Sequence, residues 1–426
     1  MLRAGAAEVV ITPPMGAAIS GYFEERRATG ILDDIHAKAL VLDDGETQVA
    51  FVALDALGIE RPEVMAIRTL VEETTGIPGD NVMVSATHIH TGPVLSETFG
   101  AQRDECYIQD MVKKAAGAVG IAYRGLTEAK IGLGKGEEKG ISFNRRYIMK
   151  DGTVRTNPGV YNPDVVKPIA PIDPDVIVMR VDNSNGEPMA IVVNFACHLD
   201  VIGGTKISAD YPGELSAIIK KIYGDNVVIL FMTGTCGDIN HIDVFGGTDF
   251  REEGLYRKMG AILAGEVIKV RERITPKGHG KLSVSSKIIS VGVRQPTPEA
   301  LSQKLDLVDA DGAIVEEVYQ EEARILKEMG LKAVDVEVQG IRVGESVVLG
   351  LPGEIFVELG LAVKEGSKFD HTIICELANG CEGYVPTKKA FQEGGYEMRL
   401  ARSSKLVPGA GEDMVQAALE IIDELE

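Results

Sequence analysis

The stretch NVMVSATHIHTGPV, residues 81–94, decides how the rest of the chain is read. Its apolar start is short and uninterrupted, which fits a strand buried on both faces. It then ends in two histidines one residue apart. Upstream lie TQVAFVALDAL (47–57), a second buried run, and PEVMAIRTLVEETTG (62–76), whose apolar residues recur at helical spacing up to Gly76. Strand, helix, strand is a βαβ unit, so the two strands should be parallel and the crossover right-handed. Ligands collect beyond the carboxyl ends of such strands, and Asp55, His88 and His90 all fall there.

The same plan recurs downstream. MAIVVNFACH (189–198) reads as a strand ending in His198, GELSAIIKKIYG (213–224) as a helix, and NVVILFMTGTCGDINH (226–241) as a strand that runs into a glycine-rich loop with Asp238, Asn240 and His241. Between the units, residues 135–175 form an excursion rich in Gly, Pro and Asn, of the kind that is functional or mobile in compact domains. After residue 280 the texture changes to a strand-like KLSVSSKIISVGVR, a strongly charged helix within 297–330, and a hairpin turning at IRVGESV (341–347). The expected fold is α/β, with mixed β-sheets packed together and flanked by helices. One composite domain over residues 1–426 is expected, with a subdivision near 280 and no internal repeat.

Composition excludes several functions. There are 44 basic against 64 acidic residues, a net charge of −20, and no basic stripe, so a nucleic-acid backbone would be repelled. No Trp is present and aromatics are 5%, which leaves little for a base-stacking platform. Five cysteines without a CxxC read as free thiols in a reduced compartment. Glu8, Pro13 and Pro14 interrupt any signal-like apolar segment, and no uncharged apolar run reaches 18 residues. A cytoplasmic protein without stable membrane insertion is expected.

In a strand, residues i and i+2 share a face, so His88 and His90 could both meet one metal ion. With His198 they offer neutral imidazoles at strand ends, as a catalytic zinc site requires, and the carboxylate could come from Asp55, Asp210, Asp238, Glu354 or Glu382. Glu354 has a second explanation, since Pro352-Gly353-Glu354 opens a helix whose dipole favours an acid. Cys236, between glycines after a strand, is a rival nucleophile, although Asp238 breaks the G-x-S-x-G pattern. Neither a phosphate loop nor a G-x-G-x-x-G fingerprint is present, so no nucleotide cofactor is expected.

Taken in order, EVVITPPMGAAISGY, SATHIHTGP, FNRR, NFACHLDVIGG, TGTCGDIN, LPGEIFVELG and ELANGCEGYVPTKKAFQEGGYE resemble the catalytic domain of the neutral ceramidases, from about residue 4 to residue 400. These are zinc amidases that cleave the N-acyl bond of sphingolipids. The resemblance implies their catalytic-domain fold and one zinc per chain, held by His88, His198, Glu354 and Tyr384. It places His90 beside the metal rather than on it, Tyr396 near the scissile amide and Arg145 in the same pocket. Asp55, Asp210 and Asp238 are expected to orient the imidazoles through their second nitrogens, as carboxylates commonly do. The familiar members are longer, with a secretion signal and a C-terminal immunoglobulin-like domain. This chain is expected to have neither, and to act on a ceramide-like lipid or a smaller N-acyl amide. Two rivals stand beside that reading: a cysteine-dependent hydrolase using Cys236, and a relative that binds zinc or a ligand without catalysis.

Overall fold

The computed structural model describes residues 1–96, 99, 101–248, 253–297 and 316–426. Among these, eight strands build the larger sheet: β1 (Arg3–Val10), β2 (His36–Asp43), β3 (Gln48–Leu54), β4 (Val82–Ala86), β5 (Thr127–Glu137), β6 (Asp175–Asn183), β7 (Pro188–Phe195) and β8 (Val228–Thr233). They lie in the order β8-β7-β6-β5-β1-β2-β3-β4. Four helices accompany them, α1 (Arg61–Thr75), α2 (Glu105–Arg124), α3 (Asp210–Tyr223) and α4 (Leu255–Arg271). Only the outer pairs β3/β4 and β7/β8 are parallel, each joined through a helix as the βαβ readings require.

Each half of the sheet follows one plan: three antiparallel strands, a crossover helix, a parallel edge strand and a second helix. The plan read twice in the sequence thus extends, at the level of topology, to both halves of the sheet. No motif recurs between residues 3–124 and 127–271, only the order of strands and helices, so motif spacing could not reveal it.

A smaller sheet follows, made of β9 (Leu282–Gly292), β10 (Ala333–Val343), β11 (Ser346–Gly350) and β12 (His371–Cys375), with helices α5 (Glu316–Met329), α6 (Val357–Gly366) and α7 (Ala410–Leu425). The β10–β11 hairpin closes at Val343 and Ser346, and Gly344 supplies the positive φ of 62° that the tight turn needs. Of the charged helix expected within 297–330, the described part is α5; residues 298–315 lie outside the described residues.

The layers explain why the strands read as unbroken apolar runs. One face of the larger sheet, including Val41, Val52, Val84, Ile191 and Ile229, packs under Ile67, Met111, Leu215 and Leu263 of α1–α4. The other face, with Leu40, Phe51, Met83, Val192 and Leu230, packs on Ile341, Val348 and Ile373 of the smaller sheet. That sheet's outer face carries Val338, Val347 and Ile374 against Val363, Met414 and Ile421 of α6 and α7. Both sheets are thus covered on both faces. Each such aliphatic side chain contributes about 1.5–3 kcal/mol by leaving water, so the layered core can hold strained loops at the strand ends. Residue 280 marks the passage between sheets, not a break in packing, since both contribute to the middle core.

What positions the site is the curl of the larger sheet. The segment 376–379 bonds to both edge strands: the Glu376 N–H donates to Thr233 (3.0 Å), the Ala86 N–H to Leu377 (3.1 Å) and the Asn379 N–H to Val84 (2.7 Å). The ends of β4 and β8 consequently meet, and the Thr233 hydroxyl donates to the Thr87 carbonyl at 2.7 Å. The excursion at 135–175 is structured in part. Arg146–Met149 pairs antiparallel with both Val154–Thr156 and Val165–Pro168, and Phe143–Asn144 pairs with Ile239–Asn240 beside the site.

Candidate metal centre

His88 leaves β4 with φ of +77°, a left-handed conformation that costs a non-glycine residue about 1 kcal/mol. Backbone bonds hold it there, from the His88 N–H to Ala56 (2.8 Å) and from the His90 N–H to Leu199 (3.1 Å). The turn abolishes the simple i, i+2 geometry of a strand. The two rings instead stand nearly perpendicular, with centroids 5.0 Å apart, while their Nε2 atoms lie 3.4 Å apart. His198, past the end of β7, brings its own Nε2 to 3.2 Å from that of His88.

Every one of these rings turns its Nδ1 to a backbone carbonyl: His88 to Leu57 (2.7 Å), His90 to Gly21 (3.0 Å) and His198 to Cys236 (2.8 Å). A carbonyl only accepts, so each Nδ1 carries a proton, and in its neutral form each ring presents an Nε2 lone pair to the same small space. Glu354 enters it from the strand-like pair Glu354–Ile355 and Tyr384–Val385, which aligns Glu354 beside Tyr384. Its Oε2 lies 3.3 Å from His88 Nε2 and 3.4 Å from His198 Nε2, is buried, and accepts no aligned hydrogen bond. Three converging imidazole nitrogens and an orphaned carboxylate oxygen fit a divalent cation. The ligand atoms of His88, His90 and His198 fall within 4.8 Å of one another.

The electrostatics agree. Burial pulls His88 down, but the Glu354 carboxylate outweighs it and leaves the imidazole raised. Burial, and then the neighbouring His88 and His198, hold His90 well below its ordinary value. Burial and the Arg145 guanidinium bring His198 down to about 3. Burial opposes ionisation of Glu354, yet His88 and His198 hold it well below the carboxylate range. The cluster therefore keeps an anion and two neutral imidazoles at neutral pH.

Arg145, Tyr384 and Tyr396 form the adjoining wall. The tyrosine hydroxyls are 2.8 Å apart, and the Arg145 guanidinium lies 5.4 and 5.2 Å from their ring centres. Arg145 donates to Glu397 (3.0 Å) and to the Gly237 carbonyl (2.6 Å), and its Nη1 stands 3.3 Å from His198 Nε2. That last contact uses the lone pair a metal would take, so a bound cation displaces it.

The aspartates do something else. Asp55 accepts from the His36 N–H (2.9 Å) and pairs with buried Lys38 (3.2 Å). Asp210 accepts from the N–H groups of Val201, Ile202 and Tyr211 at the start of α3. Asp238 accepts from the Val357 N–H and the Asn144 amide. None meets an imidazole nitrogen within hydrogen-bonding distance; carbonyls orient the rings, and the expected carboxylate contacts are corrected on that ground. The Cys236 thiol is fully buried, donates to Glu376 at 2.9 Å, and is held well above its ordinary pKa by burial and by that carboxylate. A nucleophilic role is not supported by that environment.

Sequence reasoning missed Glu376, Glu397 and Asp200. Glu376 is buried, with a pKa pushed up to about 8 by burial, and accepts from the Cys236 and Ile355 N–H groups. Asp200, pushed up to about 7 by burial, accepts from the Tyr22 hydroxyl (2.5 Å) and lies 3.7 Å from His90 Nδ1. Its position two residues after His198 was the available signal.

The cluster opens into a cavity of about 2080 Å³ lined by His88, His90, Arg145, His198, Glu354, Tyr384 and Tyr396 among others. A family described as neutral/alkaline non-lysosomal ceramidase, N-terminal, matches residues 3–239. The chain is 26% identical over 222 residues to neutral ceramidase A of Dictyostelium discoideum, a match covering 49% of this chain and 30% of that protein. The chain thus spans under a third of the length of that curated relative. The crystal structure of neutral ceramidase from Pseudomonas aeruginosa superposes with a TM-score of 0.79 at 20% identity, covering 100% of this chain and 74% of the other. A structure described as ceramidase complexed with C2 gives 0.77 at 20% identity, covering 100% and 75%. At that identity the two structures speak to a shared fold. The family match runs over more than half of the chain, from β1 past the end of β8, and the chain belongs to the neutral/alkaline non-lysosomal ceramidase family.

Proposed function

We propose that the protein is a zinc-dependent hydrolase that cleaves the amide C–N bond of an N-acylated substrate, a ceramide-like lipid or a smaller N-acyl amide. The observation that carries this reading is the convergence of His88 Nε2, His198 Nε2 and Glu354 Oε2 within 3.2–3.4 Å at the floor of a large cavity. These three residues would hold the ion, with Tyr384 beside them. Bound there, zinc supplies a Lewis acid for the amide carbonyl and acidifies water towards neutrality.

The remaining chemistry belongs to side chains. Tyr396 and Arg145 stand together and offer donors to the charge that develops on the carbonyl oxygen. Burial keeps Tyr396 protonated well above neutral pH, so it acts as a donor and not as a base. His90, its Nδ1 fixed on Gly21, presents Nε2 to the site and is placed to carry the proton that the departing amine needs. Glu397 fixes the Arg145 fork.

One observation favours a different ligand set. His90 Nε2 lies 3.4 Å from His88 Nε2, against 3.3 Å for Glu354 Oε2, so three imidazoles could share the ion. Elemental analysis of the wild type, His198→Ala and His90→Ala, alongside release of amine from N-acyl amides, separates these arrangements. About one zinc per chain is expected in the wild type and in His90→Ala, with turnover lost in the latter and zinc lost in His198→Ala. Zinc lost from His90→Ala makes His90 a ligand; a wild type that stays metal-free when zinc is supplied removes the mechanism.

A further inference from the structure

Most basic groups on the cavity wall are answered by acids. Arg103 pairs with Glu60 (3.1 Å), Arg402 with Glu322 (2.7 Å) and Lys405 with Glu382 (2.8 Å), as Arg145 does with Glu397. Arg399 is different. It follows the short turn Tyr396–Met398, its N–H donating to the Tyr396 carbonyl at 2.9 Å, and its half-buried side chain lines the same cavity as His88 and Tyr396. Among the described residues no carboxylate lies within ion-pair distance of it, and its Nη1 is buried without a hydrogen-bond partner. The contact it does make is with the Tyr319 ring, 5.8 Å from its guanidinium carbon. Glu322, bonded to Arg402 through both oxygens, is already engaged.

A guanidinium stays charged in a protein, and burial works against that charge here with only Tyr319 opposing it. Leaving a half-buried charge without a partner is unfavourable unless a ligand supplies the counter-charge. Beside it, Phe23, Phe99 and Tyr319 pack as an aromatic cluster, with ring centres 4.8–6.1 Å apart. The wall next to the amide-cleaving machinery thus couples an apolar patch to one uncommitted cation.

We propose that Arg399 binds a carboxylate on the substrate, so that the enzyme acts on N-acylated amino acids or similar acidic amides in preference to neutral lipids. The proposal rests on the hydrolase reading above and names the substrate class for it. A single planar fork matches a carboxylate in bidentate fashion, whereas a phosphate dianion calls for a second free cation.

Calorimetric titration of the zinc-loaded protein in the His90→Ala background, expected to keep the metal and lose turnover, with N-decanoylglycine, its methyl ester and N-decanoylphosphoethanolamine tests the contact without cleavage. The acid is expected to bind about 10- to 100-fold more tightly than the ester, the range of a charged hydrogen bond. The ratio should collapse towards one in Arg399→Gln and be partly kept in Arg399→Lys. Equal binding of acid and ester by the protein with Arg399 intact overturns the proposal, as does a ratio that Arg399→Gln leaves intact, or tightest binding of the phosphoethanolamide. Hydrolysis of the same amides by the wild type is read in parallel, with the preference expected in KM rather than kcat. Acid-selective binding with no amide cleaved sinks the hydrolase reading alone. Cleavage with no acid preference sinks the carboxylate site alone.

Discussion

The two halves of the larger sheet share a topology and use it in opposite ways. In the first half the edge strand β4 delivers His88 and His90 to the cavity, while the inner strand β3 ends in Asp55, bonded to His36 and Lys38. In the second half the inner strand β7 delivers His198, and the edge strand β8 leads to Asp238, bonded to Val357 and Asn144. Each half therefore commits one strand end to the imidazole cluster and the other to holding loops. A polar residue past a buried strand carries no label saying which it is. The distinguishing feature is whether backbone N–H groups or buried cations consume its acceptors.

That division can be broken or sharpened by substitution. The largest effect is expected at the centre, where Glu354→Ala should purify folded with little zinc and lose about a thousandfold or more in kcat/KM, since metal polarisation supplies several kcal/mol. Normal zinc content in that variant would remove Glu354 from the ligand set. Asp55→Ala tests the opposite role. Lys38 would be left buried without its counter-charge, and unfolding titrations should show a loss of about 3–5 kcal/mol with zinc retained. Zinc lost from a folded Asp55→Ala would undo the contrast between β3 and β4.

A smaller effect should appear in the pH dependence. Burial raises Asp210 to about 6 from an ordinary 3.8, so the folded state holds a proton that the unfolded chain has released between those values. Its contribution is fully present below about pH 4 and is lost as pH rises through about 6, on the order of 2–3 kcal/mol. Asp210→Asn should flatten the stability profile over that window; an unchanged slope would mean that Asp210 does not hold the proton. The smallest effect is expected at Cys236→Ser. Serine keeps a donor for Glu376, and kcat/KM should stay within about a factor of five, a net hydrogen bond being worth about 1 kcal/mol. Loss of all turnover would restore the thiol as a nucleophile.

Much of the fold was legible because both sheets are covered on both faces. That burial turns β3, β4, β7 and β8 into apolar runs with clear ends, and Gly76 closes α1 with φ of 79°. The small sheet within 135–175 was not legible, since its strands are three or four residues long, partly exposed and bounded by turns. Of the duplicated topology only the recurring βαβ units were legible; the antiparallel strands before each crossover helix conserve direction, and direction leaves no trace in composition.

By itself the sequence determined the strand ends that carry His88, His90 and His198, and their parallel βαβ settings, because alternation of apolar runs and capped helices is a local property. The residue types left Asp55, Asp210, Asp238, Glu354 and Glu382 open as partners, the family resemblance pointed to Glu354, and the tertiary structure brings Glu354 to the cluster. Glu354 comes 156 residues after His198, and it reaches the cluster because segment 376–379 draws the edges of the curled sheet together. Tertiary structure alone decided that carbonyls of Leu57, Gly21 and Cys236, rather than aspartates, set the imidazole protons. Backbone acceptors are present at every residue, so only the path of the folded chain selects the ones that matter.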